Sequence, residues 1–367
     1  HLPQGTKFLG VMKADAYGHG AVPVSRALAD LGAEYLAVSN LEEAVQIRRG
    51  EVRLPILILG YTPAEYAANM IFLDITQEVH SLEYARELNE ALAGTNYILN
   101  VHLKLDTGMT RIGFFAYDNE RTLDELRQVA QLPHLHIEGA FMHFCVADSR
   151  AEADVSFTKL QYKRFMDMLS AMAGVGIRPE IRHCCNSGAT ILYPEFALDM
   201  VRPGIITYGN APSDELEGAL SLRPMMSLHS MIAQVRTVPA GTDISYGRLY
   251  RTKEETRVAV LPIGYADGLS RLLTGKASFY LQGHQVPVIG RICMDMCMID
   301  VSGVPEVKPG DVVTIFGYDD DGTLLPCERL ARAQGTINYE LLCQISKRIP
   351  RICHRGAETS QILQYIV

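Results

Sequence analysis

Features that mark metal-binding, membrane and nucleic-acid-binding proteins are absent from this sequence of 367 residues. It has no CxxC pair and no His/Cys cluster with zinc-ligand spacing, so we expect no metal site. No apolar stretch reaches the length of a membrane span. No dense Lys/Arg run offers a footprint for a phosphate backbone, and the net charge of −8 also argues against nucleic acid. These absences favour an enzyme that acts on a small molecule.

The eight cysteines do not have the spacing of a disulfide framework. Cys184 and Cys185 are adjacent, Cys293 and Cys297 are four positions apart, and no signal peptide precedes them. We therefore expect reduced thiols and a cytoplasmic location. The chain begins at His1 without an initiator Met, which leads us to expect a piece of a longer polypeptide.

The first 222 residues alternate between short apolar runs and stretches with helical periodicity, which is typical of repeated βα units. Strands are predicted at eight places: residues 8–13, 34–39, 55–60, 72–77, 101–106, 137–144, 180–186 and 200–209. Helices are predicted between them, among others at 22–32, 41–50, 81–92, 119–132 and 156–174. This count indicates a (β/α)8 barrel of the TIM type. An open doubly wound sheet is less favoured because no GxGxxG follows the first strand.

The pattern changes near residue 222, where short strands and turns replace the helical stretches. The 48% apolar content and the length allow two cores. We therefore predict an α/β protein with two domains, an N-terminal barrel over residues 1–222 and a mainly β C-terminal domain over residues 223–367.

The segment 8–20, FLGVMKADAYGHG, places Lys13 where the first predicted strand turns into a glycine-rich loop. A lysine at a strand end packs poorly but is a good Schiff-base nucleophile. The loop holds Tyr17 and two glycines, and it could bring backbone N–H groups toward a phosphate. A solvated lysine at a strand end explains the same pattern, so this segment alone leaves both interpretations open.

Further polar residues lie at or just beyond predicted strand ends: Lys104, His143, His183, Asn186 and Arg202. The carboxyl ends of barrel strands are where reactive groups gather. A chance scatter would not favour one rim, so we expect these residues to line a site.

Nine separated motifs, in order, resemble those of the bacterial alanine racemase family, including the related serine/alanine racemase domains. They are VMKADAYGHG, KLDTGMTRIGF, HFCVAD, HCCNSGAT, MVRPGIITYG, ISYG, PIGYADG, GRICMDMCMID and GTINYE. The resemblance implies a fold type III enzyme that uses pyridoxal 5'-phosphate (PLP) and interconverts L-alanine and D-alanine for peptidoglycan. The family's first β-domain strand, which normally precedes the lysine motif, is missing from this sequence.

The resemblance also implies the reacting groups. Lys13 would carry PLP and act as the base on one face of Cα, and Tyr246 in ISYG would be the base on the other face. The ordinary pKa of tyrosine is near 10, so such a base needs cationic or hydrogen-bonding neighbours. Arg202 would face the pyridine nitrogen, where a guanidinium cannot accept the ring proton and so disfavours transamination and decarboxylation. From sequence alone, an ion pair on the barrel rim remains an alternative for Arg202.

Cofactor contacts follow from the same resemblance. The residues expected to bind the phosphate are Tyr17, Ser187, Gly204, Ile205 and Tyr339. Arg111 matches the arginine that contacts the PLP phenolic oxygen and the substrate carboxylate, and it would be oriented by Lys104, which relatives carry as a carbamate. The residues that match supporting groups around the ring are His143, His183 and Asn186.

The resemblance further implies a homodimer whose active sites are shared between subunits. Besides Arg111, the expected substrate contacts come from the partner's β domain: Tyr265, Cys293, Met294 and Asp295. We expect an amino-acid substrate and no nucleic-acid partner.

Three alternatives to alanine racemisation make different demands on the sequence. A basic amino-acid decarboxylase would show a Gly-Gly-Gly phosphate loop and an acidic residue at the pyridine nitrogen, and this sequence has neither. A small PLP carrier built from a barrel alone would lack the β domain. A serine or serine/alanine racemase would be the cytoplasmic catalytic domain of a membrane-tethered vancomycin-resistance protein, with a membrane domain upstream of His1. Tyr339 favours alanine because it narrows the pocket beside the substrate methyl, whereas the abrupt start at His1 favours the tethered protein.

Overall fold

The computed structural model describes residues 2–117, 119–356 and 358–365. The chain forms two compact units. The first, which we call the barrel unit, comprises His1–Ala16 and Ala21–Arg223, and the second, the β unit, comprises Tyr17–Gly20 and Pro224–Val367. In the part of the chain that is described, no helix combines the length and apolarity needed to cross a membrane.

Eight parallel strands, β1 to β8, form the barrel unit: Lys7–Val11, Tyr35–Val38, Ile56–Ile58, Ile75–Val79, Leu99–Asp106, Leu135–Phe141, Ile181–His183 and Met200–Val201. Their hydrogen-bonded order is β7-β6-β5-β4-β3-β2-β1-β8, and the short strand Phe114–Phe115 pairs with β5. The two ends of this path meet, because the N–H groups of Asp199 and Arg202 donate to the carbonyls of Arg182 and Cys185 at 3.0 and 2.9 Å. The result is a nearly closed barrel.

Seven helices, α1 to α7, accompany these strands: Ala21–Asp30, Leu41–Arg49, Ala67–Phe72, Leu82–Ala91, Asn119–Ala130, Glu152–Gly174 and Ser187–Leu192. Local sequence explains several starts. The side chains of Asn40 and Ser81 cap α2 and α4 by accepting from the N–H groups of Glu43 and Tyr84. Strands β2, β3 and β4 are buried throughout. This burial on both faces is why β2 and β3 appear in the sequence as continuous apolar runs, whereas β4 also buries Thr76, Gln77 and Glu78.

The predicted barrel is confirmed, and all eight predicted strands overlap observed ones. Two predictions were wrong in detail. The strand expected at 72–77 starts three residues later, because Phe72 closes helix α3. The strand expected at 200–209 ends at Val201, since Pro203 has no N–H to donate, and a 3-10 helix, Ile205–Tyr208, takes the place of the eighth α-helix.

The β unit contains strands β9 to β20: Leu228–Met231, Gln234–Val238, Asp243–Ile244, Tyr250–Arg251, Thr256–Leu261, Ser278–Leu281, His284–Ile289, Cys297–Asp300, Val312–Tyr318, Leu324–Leu325, Arg351–Arg355 and Glu358–Leu363. Its main sheet has the antiparallel order β9-β17-β14-β15-β16-β13-β10, with β18 beside β17. Phe279 and Phe316 are fully buried in this unit. Two helices follow the sheet, α8 (Cys327–Gln334) and α9 (Asn338–Cys343). The expectation of a mainly β second part is confirmed.

Candidate active site

Lys13 opens a left-handed turn immediately after β1. Ala14, Asp15, Ala16 and Tyr17 all have φ between 53° and 56°. This conformation costs each L-residue about 1–2 kcal/mol, so contacts with surrounding residues must stabilise the turn. The sequence predicted a glycine-rich loop here, but the left-handed residues precede the glycines and carry no compositional signal.

Two carboxylates hold this turn in place. Glu43 accepts from the N–H of Ala14 through Oε1 and from the N–H of Ser39 through Oε2, each at 2.7 Å. Asp15 accepts from the N–H of Ala21 through Oδ1 at 2.8 Å. Glu43 was not among the predicted site residues, because its position near the start of α2 marks it only as a helix-capping group.

Arg202 follows β8 directly and is buried. Its Nη1 donates to His183 Nδ1 at 2.9 Å, while Nη2 donates to the carbonyls of Met142 at 2.7 Å and Cys184 at 3.1 Å. Burial lowers the pKa of Arg202 to about 10, so the guanidinium is a cation at neutral pH. Its described partners are neutral acceptors, which does not support an exposed ion pair on the rim.

His143 lies in a cluster of cations. Burial lowers the pKa of His143 well below its usual value, and the charges of Arg202, Lys104, Arg111 and Lys13 lower it further, in that order. A neutral imidazole whose pKa is lowered by four basic side chains marks an electropositive site that attracts anions.

Lys104 is one of these cations and is itself buried at the end of β5. Its Nζ donates to the Leu105 carbonyl at 3.3 Å and lies 5.3 Å from the centre of the Phe141 ring. Burial and, next, the charge of Arg202 lower the pKa of Lys104 to about 7. About half of this amine is therefore neutral at pH 7.

Arg111 is exposed on the loop after β5. The carboxylate of Asp106 shapes this loop, since Oδ1 accepts from the N–H groups of Gly108 and Thr110 at 2.9 and 3.0 Å. This arrangement is an Asx turn, which the sequence DTG was sufficient to suggest. Asp106 was missed because its role is to position the loop.

On the other side of the barrel rim, Ser187 and Gly204 lie together. The hydroxyl of Ser187 accepts from the N–H of Gly204 at 2.9 Å, and Ile205 begins the adjacent 3-10 helix. Asn186 caps α7, with Oδ1 accepting from the N–H of Ala189 at 3.0 Å. Three of the predicted phosphate contacts are therefore neighbours, while Asn186 has a clear structural role.

The two remaining predicted phosphate contacts meet in the β unit. The rings of Tyr17 and Tyr339 have centroids 6.0 Å apart. Tyr17 is buried, and burial raises its pKa. Arg351 supports the segment after Tyr17 by donating from Nε to the Gly18 carbonyl at 3.0 Å.

Three motifs of the β unit also converge, around Cys293. Ser245 donates from its hydroxyl to the Arg291 carbonyl at 2.7 Å and lies 3.5 Å from the Cys293 sulfur. Tyr265 donates its N–H to the Cys293 carbonyl at 3.0 Å. The approach depends on Gly264, because a Cβ there would lie 2.3 Å from that carbonyl oxygen.

Several side chains of these three motifs are exposed to solvent in the single chain. Tyr246 is 71% exposed and Met294 is 53% exposed. Asp295 is bound by Arg348, which donates from Nη2 to Oδ1 at 2.8 Å. The structure thus brings the predicted residues together in two sets, one in each unit.

Comparison with known proteins gives the family. The model of the alanine racemase N-terminal domain matches residues 1–212, and that of the alanine racemase C-terminal domain matches residues 225–353. An alanine racemase of Desulfovibrio desulfuricans is 46% identical over 96% of this chain and 92% of its own length. That of Clostridium tetani is 42% identical over 100% of this chain and 94% of its own.

Solved structures agree with these matches. Alanine racemase of Clostridium difficile 630 superposes with a TM-score of 0.93 at 40% identity, covering 100% of this chain and 93% of that one. The Bacillus anthracis alanine racemase with bound L-Ala-P gives a TM-score of 0.91 at 35% identity, covering 99% and 92%. The predicted family is confirmed: this chain belongs to the alanine racemases.

Proposed function

We propose that this protein is a PLP-dependent isomerase that interconverts L-alanine and D-alanine. The observation that carries the proposal is the buried Arg202 guanidinium, held by neutral acceptors at the carboxyl end of β8. Such a group presents a permanent positive charge and no proton acceptor to whatever it faces.

The residues present fit PLP. The four cations that act on His143 offer a site for its phosphate and phenolate charges. Lys13 would hold the cofactor covalently, Arg202 would face its ring nitrogen, and the phosphate would be bound by Tyr17, Ser187, Gly204, Ile205 and Tyr339. When bound, PLP supplies an electron sink that makes the Cα proton of an amino acid acidic.

The chain's own residues then move the proton. The substrate amine would first take the place of Lys13 Nζ on the cofactor, which frees the lysine amine. Lys13 Nζ and the Tyr246 hydroxyl would then take and return the proton on opposite faces of Cα, which is what inversion requires. Arg202 cannot accept a proton at the ring nitrogen, and this favours return of the proton to Cα over side reactions. Arg111 would bind the substrate carboxylate, since it is an exposed cation on an ordered loop.

We further propose that two copies complete each other's sites. Besides Tyr246, the β unit exposes several large apolar side chains in the same motifs, and a contiguous surface of this kind would be unusual if it stayed in water. They are Leu249, Tyr265, Met294 and Met296. Residues 1–222 would then contribute the PLP-binding barrel and residues 223–367 the second base and the substrate-screening residues. No disulfide joins the cysteines that the structure describes, which supports a reducing compartment such as the cytoplasm.

Lys104 is a candidate for carbamylation in this proposal. A neutral amine attacks CO₂, forming a nitrogen–carbon bond and releasing one proton, and the product is an anion. With a pKa near 7, Lys104 offers roughly 10³-fold more neutral amine at pH 7 than an ordinary lysine. The anion would balance the neighbouring charges of Arg202 and Arg111. Incubation with ¹³C-bicarbonate should give a carbamate carbon signal that is lost in Lys104→Ala.

The test of function is D-amino-acid formation by PLP-loaded protein with L-alanine and L-serine side by side. Faster turnover of alanine supports the proposal, whereas comparable or faster turnover of serine supports the serine racemase alternative.

Lys13→Ala should abolish the visible absorption of bound PLP. Tyr246→Phe should keep the absorption and lose racemisation, and undiminished turnover in both directions would contradict the two-base assignment.

A further inference from the structure

A line of polar side chains runs through the barrel unit from the buried Arg202 to the partly exposed Glu138. Beyond the contact of Arg202 with His183 Nδ1, His183 Nε2 lies 2.9 Å from His102 Nδ1. His102 Nε2 lies 3.0 Å from Glu138 Oε2. Both imidazoles are fully buried. The line therefore joins β8, β7, β5 and β6 through three successive hydrogen bonds.

Glu138 reaches this line through a break in the strand register. Val101 in β5 pairs with Ile137 in β6, but the next residue, His102, pairs with Gly139. Glu138 is thus the extra residue of a β-bulge. Bulges are rare in parallel pairs, and they re-aim side chains, often beside functional sites.

Gly139 makes room for the same contact. A Cβ on Gly139 would lie 2.5 to 2.6 Å from three atoms of the His102 ring. No side chain fits there while the ring keeps its place. The bulge and the glycine therefore both serve the meeting of His102 with Glu138.

Glu138 is an acceptor in all its described side-chain contacts. Tyr35 donates its hydroxyl to Oε2 at 2.8 Å, and the Thr76 hydroxyl lies 3.3 Å from the same oxygen. Burial alone would raise the pKa of Glu138, but the hydrogen bonds from His102 and Tyr35 outweigh burial and lower it. An ionised carboxylate has no proton to donate.

We propose that Glu138 is a positioning residue that fixes both His102 and His183 as Nε2–H tautomers, and so makes His183 Nδ1 the acceptor for Arg202. The carboxylate requires a proton on His102 Nε2. A neutral His102 then has a bare Nδ1, which accepts from His183 Nε2–H and leaves His183 Nδ1 bare. Desolvation lowers the pKa of both imidazoles, which keeps them neutral. Only the consequence for the reaction rests on the function proposed above.

The opposite tautomer of His183 would set an Nδ1–H group against the N–H of Arg202. A buried donor without an acceptor is costly, so the guanidinium would turn away from its present acceptors. The carboxylate, three hydrogen bonds away, thereby selects the same tautomers that Arg202 needs for its present contacts.

The test uses cofactor-free protein with ¹⁵N-labelled histidine. Long-range ¹H–¹⁵N correlations separate protonated from bare ring nitrogens, and the signals are assigned with His102→Gln and His183→Gln. We expect Nε2–H on both rings in the unaltered protein. Glu138→Gln keeps an acceptor oxygen and should keep both tautomers, whereas Glu138→Leu should change or mix them. Tyr35→Phe, the matched control, removes a different bond to the same carboxylate and should change neither.

An Nδ1–H tautomer on either ring of the unaltered protein would overturn the proposal, and so would unchanged tautomers in Glu138→Leu. If Glu138→Leu does not fold, Glu138→Ala, which likewise removes the acceptor for His102, takes its place with the same two outcomes. In the PLP-loaded protein, Glu138→Leu should raise the ratio of transamination to racemisation roughly tenfold. Because the NMR measurement needs no turnover, a failure of the racemase proposal would be seen separately, in the D-alanine assay.

Discussion

At the scale of single residues, the barrel unit buries positive charge whose described hydrogen bonds go to neutral groups. Arg202 is compensated by the carbonyls of Met142 and Cys184 and by His183. Lys104 has only the Leu105 carbonyl among its described hydrogen bonds, although the charges of Asp106 and Glu78 also act on it. Burying a cation without a hydrogen-bonded anion costs free energy, which the rest of the fold must supply. Such a cost is expected where a site is prepared for an anionic ligand.

Lys104→Met should therefore stabilise the cofactor-free protein in a pH-dependent way. The pKa of Lys104 is about 7 in the folded protein, whereas the pKa of an ordinary lysine is 10.5. Between these values the unfolded chain binds more protons, so the stability of the unaltered protein rises with pH. Below pH 7 the free energy of unfolding of Lys104→Met should exceed that of the unaltered protein by roughly 3–5 kcal/mol, and this difference should disappear toward pH 10. Urea unfolding in bicarbonate-free buffer measures this; a difference independent of pH would contradict it.

Arg202→Lys should destabilise the fold even though the charge is kept. An ammonium cannot reproduce the planar fork that reaches His183 and two carbonyls at once. We expect a loss of about 1–3 kcal/mol in the free energy of unfolding. The matched control is Arg182→Lys. The ion pair of Arg182 with Asp199 is partly exposed, so this variant should lose less than about 1 kcal/mol in the free energy of unfolding. Equal losses in the two variants would contradict this account of the Arg202 site.

At the scale of elements, the left-handed turn after Lys13 contains an alanine whose replacement by glycine should not destabilise the protein, although such a replacement usually does. Ala14 is exposed with φ 53° and ψ 46°, a conformation in which glycine is at ease. Ala14→Gly should leave stability unchanged or raise it by up to about 1 kcal/mol. The control Ala27→Gly, exposed inside the right-handed helix α1, should cost about 1 kcal/mol. Two equal losses would mean that the turn is right-handed in solution.

These elements also show what the sequence could and could not predict. Strands such as β2 and β3 were found because apolar runs buried on both faces are visible locally. The turn at Ala14 was missed because its support comes from Glu43, 29 residues away, and four non-glycine residues give no sign of positive φ. The bulge at Glu138 depends on the register with β5, which no local pattern encodes.

The candidate site divides in the same way. Arg202 and Lys104 were predicted because charged residues at strand ends stand out among apolar neighbours, and the family motifs named their roles. Glu43 was missed because it binds the backbone N–H of a residue 29 positions away. Asp106 binds backbone N–H groups two and four positions on, and was missed because it positions the loop and contacts no ligand in the predicted site. Residues that bind ligands leave a compositional trace, whereas residues that position backbone rarely do.

At the scale of the whole molecule, the two proposed bases belong to different units, Lys13 to the barrel unit and Tyr246 to the β unit. If sites are shared between subunits, Lys13→Ala and Tyr246→Phe, each inactive alone, should restore activity when unfolded together and refolded. Random pairing makes half of the dimers mixed, and each mixed dimer has one intact site of two, so roughly a quarter of full activity should return. The double variant Lys13→Ala/Tyr246→Phe, refolded with either single variant, forms no intact site and is the control. No recovery above that control, with mixed dimers shown by mass spectrometry, would mean that each chain builds its own site.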